Sequence, residues 1–136
     1  MQDGDAEAFA SKIQIHTKFV PDASVLDSID ERYVRTVVTR SLNRLNVKAL
    51  DLVQFHWWDY SIERYALNTL SKHICSNKKF FIRYVDAAKH LATLKQEGLI
   101  RNIGVTNFDA ERLQPIVKAG VPIISNQVSS GSCQYY

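Results

Sequence analysis

Polar residues able to bind a small molecule follow four apolar stretches of the sequence. Lys18, His56 and Asn107 each follow one stretch, and Asn126 with Gln127 lies near the end of the fourth. Taken singly, such a residue is more often a surface or structural group than a functional one. Polar residues after four successive apolar stretches are better evidence of function, because a small-molecule site needs polar groups that converge over an apolar floor.

The stretches that precede these residues are short and apolar, and they predict the strands of a parallel sheet. The predicted strands are 13–18, 51–55, 100–105 and 121–128. Helical periodicity between them predicts three amphipathic helices. The resulting order, βαβαβαβ, is typical of an α/β fold with right-handed crossovers. Because the carboxyl ends of such strands meet at one rim, we expect the polar residues to lie together there.

Capping residues mark the ends of the predicted helices. Ser28 or Asp30 can begin the first helix by accepting hydrogen bonds from free N–H groups of its first turn, and Asn46 is a plausible end. The second helix has an apolar face from Val85 to Leu94 and ends at Gly98. Asp109 can begin the third helix, which ends near Gly120.

Composition limits the function classes. With 136 residues and 46% hydrophobic content, the chain is expected to form one globular domain. No run approaches the roughly 20 apolar residues needed to cross a bilayer, and no secretory signal is apparent, so we expect no membrane and a cytoplasmic location. Cys75 and Cys133 show no disulfide or zinc spacing, so no metal is expected.

The positive charge is local and does not predict nucleic-acid binding. The formal net charge is +3, but residues 66–84 hold four basic residues and no acid. The rest of the chain has 13 basic and 14 acidic residues. A charged run of this kind is usually a solvated face.

Several motifs together resemble the aldo-keto reductase family. They are His-Thr-Lys-Phe at 16–19, Ser-Leu-Asn-Arg-Leu at 41–45, Asp-Leu-Val-Gln-Phe-His-Trp at 51–57, Gln-Glu-Gly-Leu-Ile-Arg-Asn-Ile-Gly-Val-Thr-Asn-Phe at 96–108 and Ser-Asn-Gln-Val at 125–128. They occur in the family's order and with nearly its spacing. The Trp-Trp-Asp-Tyr sequence at 57–60 differs from the commoner Trp-Pro ending.

The resemblance implies a partial TIM (β/α)₈ barrel, α/β, with about four βα units of parallel sheet. It implies an NADP(H)-dependent oxidoreductase that reduces an aldehyde or ketone by hydride transfer. By motif, Lys18 and His56 are the catalytic lysine and histidine, of which the lysine lowers the pKa of a tyrosine and the histidine positions the carbonyl. Thr106, Asn107 and Gln127 match the residues that hydrogen-bond the nicotinamide carboxamide.

The resemblance also predicts what this chain would lack. The family's catalytic aspartate and tyrosine precede the lysine strand, and no residue of this chain takes those positions, so we expect a fragment with little turnover. Residues 1–136 would form a single incomplete domain, with 66–84 an insertion, whether a retained intron or a genuine loop, and 129–136 a divergent tail. The open sheet edges predict self-association. The alternative function is a non-catalytic protein that binds a nucleotide or a partner.

Overall fold

Four parallel strands form one sheet in chain order, and three helices connect or flank them. The structure is a computed structural model that describes residues 13–26, 28–57 and 79–129. The strands are β1 (His16–Phe19), β2 (Leu52–His56), β3 (Ile103–Thr106) and β4 (Ile123–Gln127). The helices are α1 (Glu31–Leu45), α2 (Lys79–Gln96) and α3 (Ala110–Lys118), with a 3-10 turn at Ala23–Val25. The predicted α/β architecture with a parallel sheet is confirmed.

The helix ends follow the capping residues of the sequence. The Asp30 carboxylate accepts a hydrogen bond of 2.7 Å from Tyr33 N, so Asp30 and not Ser28 caps α1. Asn46 ends α1 in the left-handed conformation, with φ of 52°. Asp109 caps α3 by accepting from Arg112 N at 2.8 Å.

Helix α2 begins earlier than the sequence pattern indicates. Its apolar face is regular only from Val85, but the helix begins at Lys79. The reason is that the basic and aromatic residues before Val85 obscure the helical period although the backbone already follows it. Tyr84 belongs to this early part, and its side chain is buried.

One face of the sheet packs against the helices and holds the core. Val53 and Phe55 of β2 lie on this helix-side face and are at most 1% exposed. The Phe55 ring lies 5.7 Å from that of Phe19 and 5.5 Å from that of Phe108, measured between centroids. Val34 of α1, Leu91 of α2 and Ile116 of α3 belong to the same buried cluster as these residues, so the three helices lie on this face.

The alternate residues of each strand point to the other face, which we call the polar face. Successive side chains of a strand point to opposite sides of a sheet, so Lys18, Gln54 and His56 lie opposite the buried residues between them. In a closed barrel this face would line the interior. The polar face therefore carries Lys18 and His56, two of the residues that the sequence predicts for the site.

Asp51 ties together the amino ends of three strands. Its carboxylate accepts a hydrogen bond of 2.8 Å from Ile15 N and pairs with Arg101 Nη1 at 2.7 Å. Asn102 Nδ2 donates to the backbone oxygen of Asp51 at 3.1 Å. The pKa of Asp51 is lowered, first by the Ile15 N–H and also by the charge of Arg101, while desolvation opposes the shift.

Parts of the sequence predictions fall outside the described residues. Most of the predicted insertion at 66–84, nearly all of the tail at 129–136, and both cysteines lie there. Within the described residues, no helix combines the length and apolar character needed to cross a bilayer.

We expect Asp51→Asn to lower the urea midpoint of unfolding at pH 7, because the neutral amide loses the ion pair with Arg101. A carboxylate with a lowered pKa stabilises the fold above its unfolded-state pKa of about 3.9, and that stabilisation is lost as pH falls through the lower folded-state pKa. The difference in urea midpoint between wild type and Asp51→Asn should thus be constant from about pH 5 upward and should narrow below about pH 4.

Asp86→Asn is the matched control, since Asp86 pairs with Lys89 on the surface of one helix. Exposed ion pairs of this kind contribute little to the free energy of unfolding. Equal midpoint losses in the two variants would show that Asp51 does not tie the strands together.

Candidate functional site

Two rows of side chains cross the polar face in register. Strand pairing aligns residues of neighbouring strands, and aligned residues share a face. The first row is Lys18, Gln54, Gly104 and Ser125, and the second, one pleat nearer the carboxyl ends, is His56, Thr106 and Gln127. The structure thus brings four of the five predicted site residues to one part of one face.

His56 and Lys18 lie near each other on the polar face. The pKa of His56 is lowered, first because partial burial disfavours the charged ring and second because of the positive charge of Lys18. Lys18 itself is exposed, and among the described residues no carboxylate lies within ion-pair distance of it. A neutral imidazole beside an ammonium group can donate hydrogen bonds to a carbonyl oxygen and favours negative charge there.

Thr106 carries a buried hydroxyl at the centre of the second row. Its side chain is 6% exposed, and its Oγ1 has no hydrogen-bond partner among the described residues. The same holds for Ser125 Oγ in the first row. A buried hydroxyl left without a partner costs about 1–3 kcal/mol, so a polar group bound on this face would stabilise the site.

Gly104 makes room for Ser125 in the first row. A Cβ on Gly104 would lie well under 3.0 Å from Ser125 Oγ and 3.2 Å from the Ser125 carbonyl oxygen. It would also lie 3.5 Å from Cγ of Gln54, on the neighbouring strand. The absence of a side chain at Gly104 therefore allows β4 to approach β3 closely at this point.

A β-bulge decides which residue of β4 reaches the polar face. Ile103 pairs with Ile123, but Gly104 pairs with Ser125, so Ile124 is an extra residue. From there on the side chains of β4 are shifted by one residue. As a result Gln127 aligns with Thr106 on the polar face, whereas Asn126 aligns with Val105 on the helix-side face.

Asn107 lies one residue beyond β3 and not in either row. Its backbone is left-handed, with φ of 57°, which asparagine tolerates better than most residues. Its N–H donates to the backbone oxygen of Gln127 at 2.9 Å, and its Oδ1 accepts from Ser129 N at 3.0 Å. Asn107 therefore sits at the carboxyl edge, joined through the backbone to Gln127.

Sequence analysis did not select Gln54, Gly104 or Ser125 as parts of the site. Strict alternation along β2 is a signal that could have found Gln54, which is two residues before His56. The place of Ser125 depends on the bulge, for which the sequence offers no comparable signal. Among the described residues, no cluster of three potential metal ligands occurs.

Comparisons with known proteins identify a family that the chain matches. The model of the Aldo/keto reductase family matches residues 3–133. A curated relative, the putative methylglyoxal reductase DkgA of Salmonella typhi, is 32% identical over 100 residues, which are 73% of this chain and 30% of the relative. The chain thus spans about a third of the length of the relatives it matches.

Solved structures share the fold. An aldo-keto reductase from a Medee basin deep-sea metagenome library, MGS-M4, aligns with a TM-score of 0.63 at 21% identity, over 88% of this chain and 35% of that one. A variant of Gox0644 in complex with NADPH aligns with a TM-score of 0.62 at 26% identity, over 93% of this chain and 38% of that one. The parallel sheet therefore corresponds to part of a TIM barrel.

Lys18→Met is expected to raise the pKa of His56, because it removes the positive charge that disfavours the imidazolium. The pKa should stay below its ordinary value, since the larger cause, partial burial, remains. Titration of the His56 ring followed by NMR measures the change. Lys48→Met, which removes an exposed charge before the amino end of β2, serves as control. Identical His56 titrations in wild type and Lys18→Met would show that the Lys18 ammonium group lies too far from the His56 ring to affect its pKa.

Gly104→Ala is expected to lower the free energy of unfolding by about 1–3 kcal/mol, because the new methyl group overlaps Ser125 Oγ. Ser125→Ala alone should cost little, since it removes a buried hydroxyl without a partner. In the double variant part of the loss should be recovered, with a coupling of about 0.5–3 kcal/mol in urea denaturation. Additive effects would mean that the two residues do not meet.

Proposed function

The chain belongs to the aldo/keto reductase family, and on that premise we propose that its polar face is part of an NADP(H)-dependent carbonyl reductase site. The observation that carries the proposal is the buried Thr106 hydroxyl, which lacks a protein partner among the described residues and is aligned with His56 and Gln127. A polar ligand is the natural occupant of such a place.

The residues present fit the nicotinamide group. A carboxamide both donates and accepts hydrogen bonds, and the Thr106 hydroxyl and the carboxamides of Asn107 and Gln127 can do the same. Their combination would hold the carboxamide in one orientation and so fix which face of the ring is presented. When bound, the cofactor supplies the hydride for reduction of a carbonyl.

Lys18 and His56 act on the substrate carbonyl in this proposal. Partial burial and the nearby ammonium keep the His56 ring neutral, so it can donate a hydrogen bond that positions the carbonyl oxygen. The charge of Lys18 stabilises the negative charge that develops on that oxygen and lowers the pKa of a phenol placed beside it. Tyr33 and Tyr84, the tyrosines of the described residues, lie among the helix-side packing and not on the polar face.

The substrate class we propose is a small aldehyde or ketone. The supporting observation is the similarity to methylglyoxal reductases, whose names state such an activity. The matched region is only 30% of the length of these relatives. The proposed substrate class therefore rests on membership of the family and on the four predicted site residues of the polar face.

A second candidate function is nucleotide or partner binding without catalysis. The observation that favours it is the open edge of β4, where Ile124 is 61% and Val128 is 64% exposed. Within the described residues β1 and β4 each pair on one side only. Such edges favour association with another chain or with a second copy.

We expect the 136-residue chain to bind NADPH, and Gln127→Leu to weaken that binding about tenfold through loss of hydrogen bonds to the carboxamide. Gln114→Leu, on the exposed surface of α3, should bind as the wild type does. Fluorescence titration with NADPH measures both. Failure of the wild-type chain to bind NADPH would contradict the proposal.

Turnover by the chain alone is expected to be small. General acid catalysis contributes about 10²- to 10⁴-fold, and neither tyrosine of the described residues lies on the polar face. Consumption of NADPH with methylglyoxal and other aldehydes measures the rate. His56→Ala should abolish whatever turnover is seen. Binding of NADPH without turnover in either protein would favour the second candidate function.

A further inference from the structure

Two consecutive carboxamides at the end of β4 lie on opposite faces of the sheet. The bulge at Ile124 places Gln127 in the row of Thr106 and turns Asn126 to the other side. Without that extra residue, Asn126 would align with Thr106 instead. The two carboxamides can therefore form hydrogen bonds on opposite faces of the sheet.

The Asn126 carboxamide holds the backbone of the loop that follows β3. Its Nδ2 donates to the carbonyl oxygen of Phe108 at 2.7 Å, and its Oδ1 accepts from Phe108 N at 3.4 Å. One side chain thus contacts both polar groups of one residue. The Phe108 ring is also fixed, because it is 4% exposed and packs against Phe55 with centroids 5.5 Å apart.

Fixing Phe108 constrains the residue before it. Asn107 has a left-handed backbone, which costs free energy for a residue other than glycine and persists only where its surroundings impose it. On one side Asn107 is held by its own N–H to the Gln127 oxygen. On the other side it is held by the fixed position of Phe108, and hence by Asn126.

We propose that Asn126 is a positioning residue of the nicotinamide site. It acts through Phe108 to hold Asn107 in the left-handed conformation, so that Asn107 and Gln127 present their carboxamides to the same ligand. The proposal rests on the proposed function for the identity of that ligand. The contact network on which it depends exists without any ligand and can be tested separately.

The first test measures amide hydrogen exchange in the free protein by NMR. Asn126→Ala should accelerate exchange at Phe108 about tenfold, and equally at Ser129, whose N–H donates to the Asn107 side chain. The Val105 amide, inside β3, is the internal reference for global unfolding. Acceleration confined to Phe108, or an equal acceleration at Val105, would overturn the proposal.

Asn126→Asp is the second variant, since it keeps the shape of the side chain and the acceptor for Phe108 N. It loses the donor of the 2.7 Å bond and sets a carboxylate against the Phe108 carbonyl oxygen. We expect it to accelerate exchange at Ser129 as Asn126→Ala does, because the contact with the Phe108 carbonyl oxygen is lost, while Phe108 N keeps its acceptor. Asn102→Ala is the matched control, because Asn102 also donates from its carboxamide to a backbone oxygen, that of Asp51, at the opposite edge of the sheet. Exchange at Phe108 and Ser129 should be unchanged in it.

The second test compares two ligands, NADPH and 2′-phospho-ADP-ribose, which lacks the nicotinamide ring. Asn126→Ala should weaken NADPH about tenfold and leave the second ligand unaffected. Equal weakening of both ligands would indicate a general loss of structure and would overturn the proposal. Unchanged binding of both ligands would overturn it as well. If the wild-type chain binds neither ligand, the proposed function fails, and the exchange measurement alone decides the role of Asn126.

Discussion

The site depends on the register of the parallel strands, and the Asp51 carboxylate is the interaction that holds that register at the amino ends. It accepts from Ile15 N just before β1, pairs with Arg101 just before β3, and itself immediately precedes β2. A slip of one residue between two parallel strands exchanges their faces completely. If β1 slipped in this way against β2, Lys18 would point into the helix-side core, where an ammonium group is strongly disfavoured.

The helix-side face of the sheet holds the core, whereas the polar face holds most of the proposed binding residues. The connecting helices lie on one side, where aliphatic residues and the aromatic rings around Phe55 form the core. The other side is left free to carry polar groups, among which the buried hydroxyls of Thr106 and Ser125 lack partners within the described residues. Groups of this kind are tolerated because the helix-side core supplies the stability, and in the proposed function a bound ligand would supply their missing partners.

The sequence was informative wherever a local pattern sets the structure. Apolar runs and caps predicted the order of elements, and the helix ends at Asp30, Asn46 and Asp109 follow from local hydrogen bonds and backbone preferences. The face of each side chain on β4 could not be predicted, because it depends on a bulge at Ile124, where Ser125 closely approaches Gly104 of another strand. Such a contact is visible only when both strands are placed.

The proposed site residues fall into two groups, those on regular strands and those on irregular backbone. Lys18 and His56 lie on strands with regular alternation, so each points away from the apolar residues beside it, and the strand register brings them to the same face. Asn107 and Gln127 reach the carboxyl edge by irregular means, a left-handed residue and a bulge. Irregular backbone needs support from side chains, and the hydrogen bonds of Asn126 to Phe108 supply it next to Asn107, although Asn126 itself lies on the helix-side face.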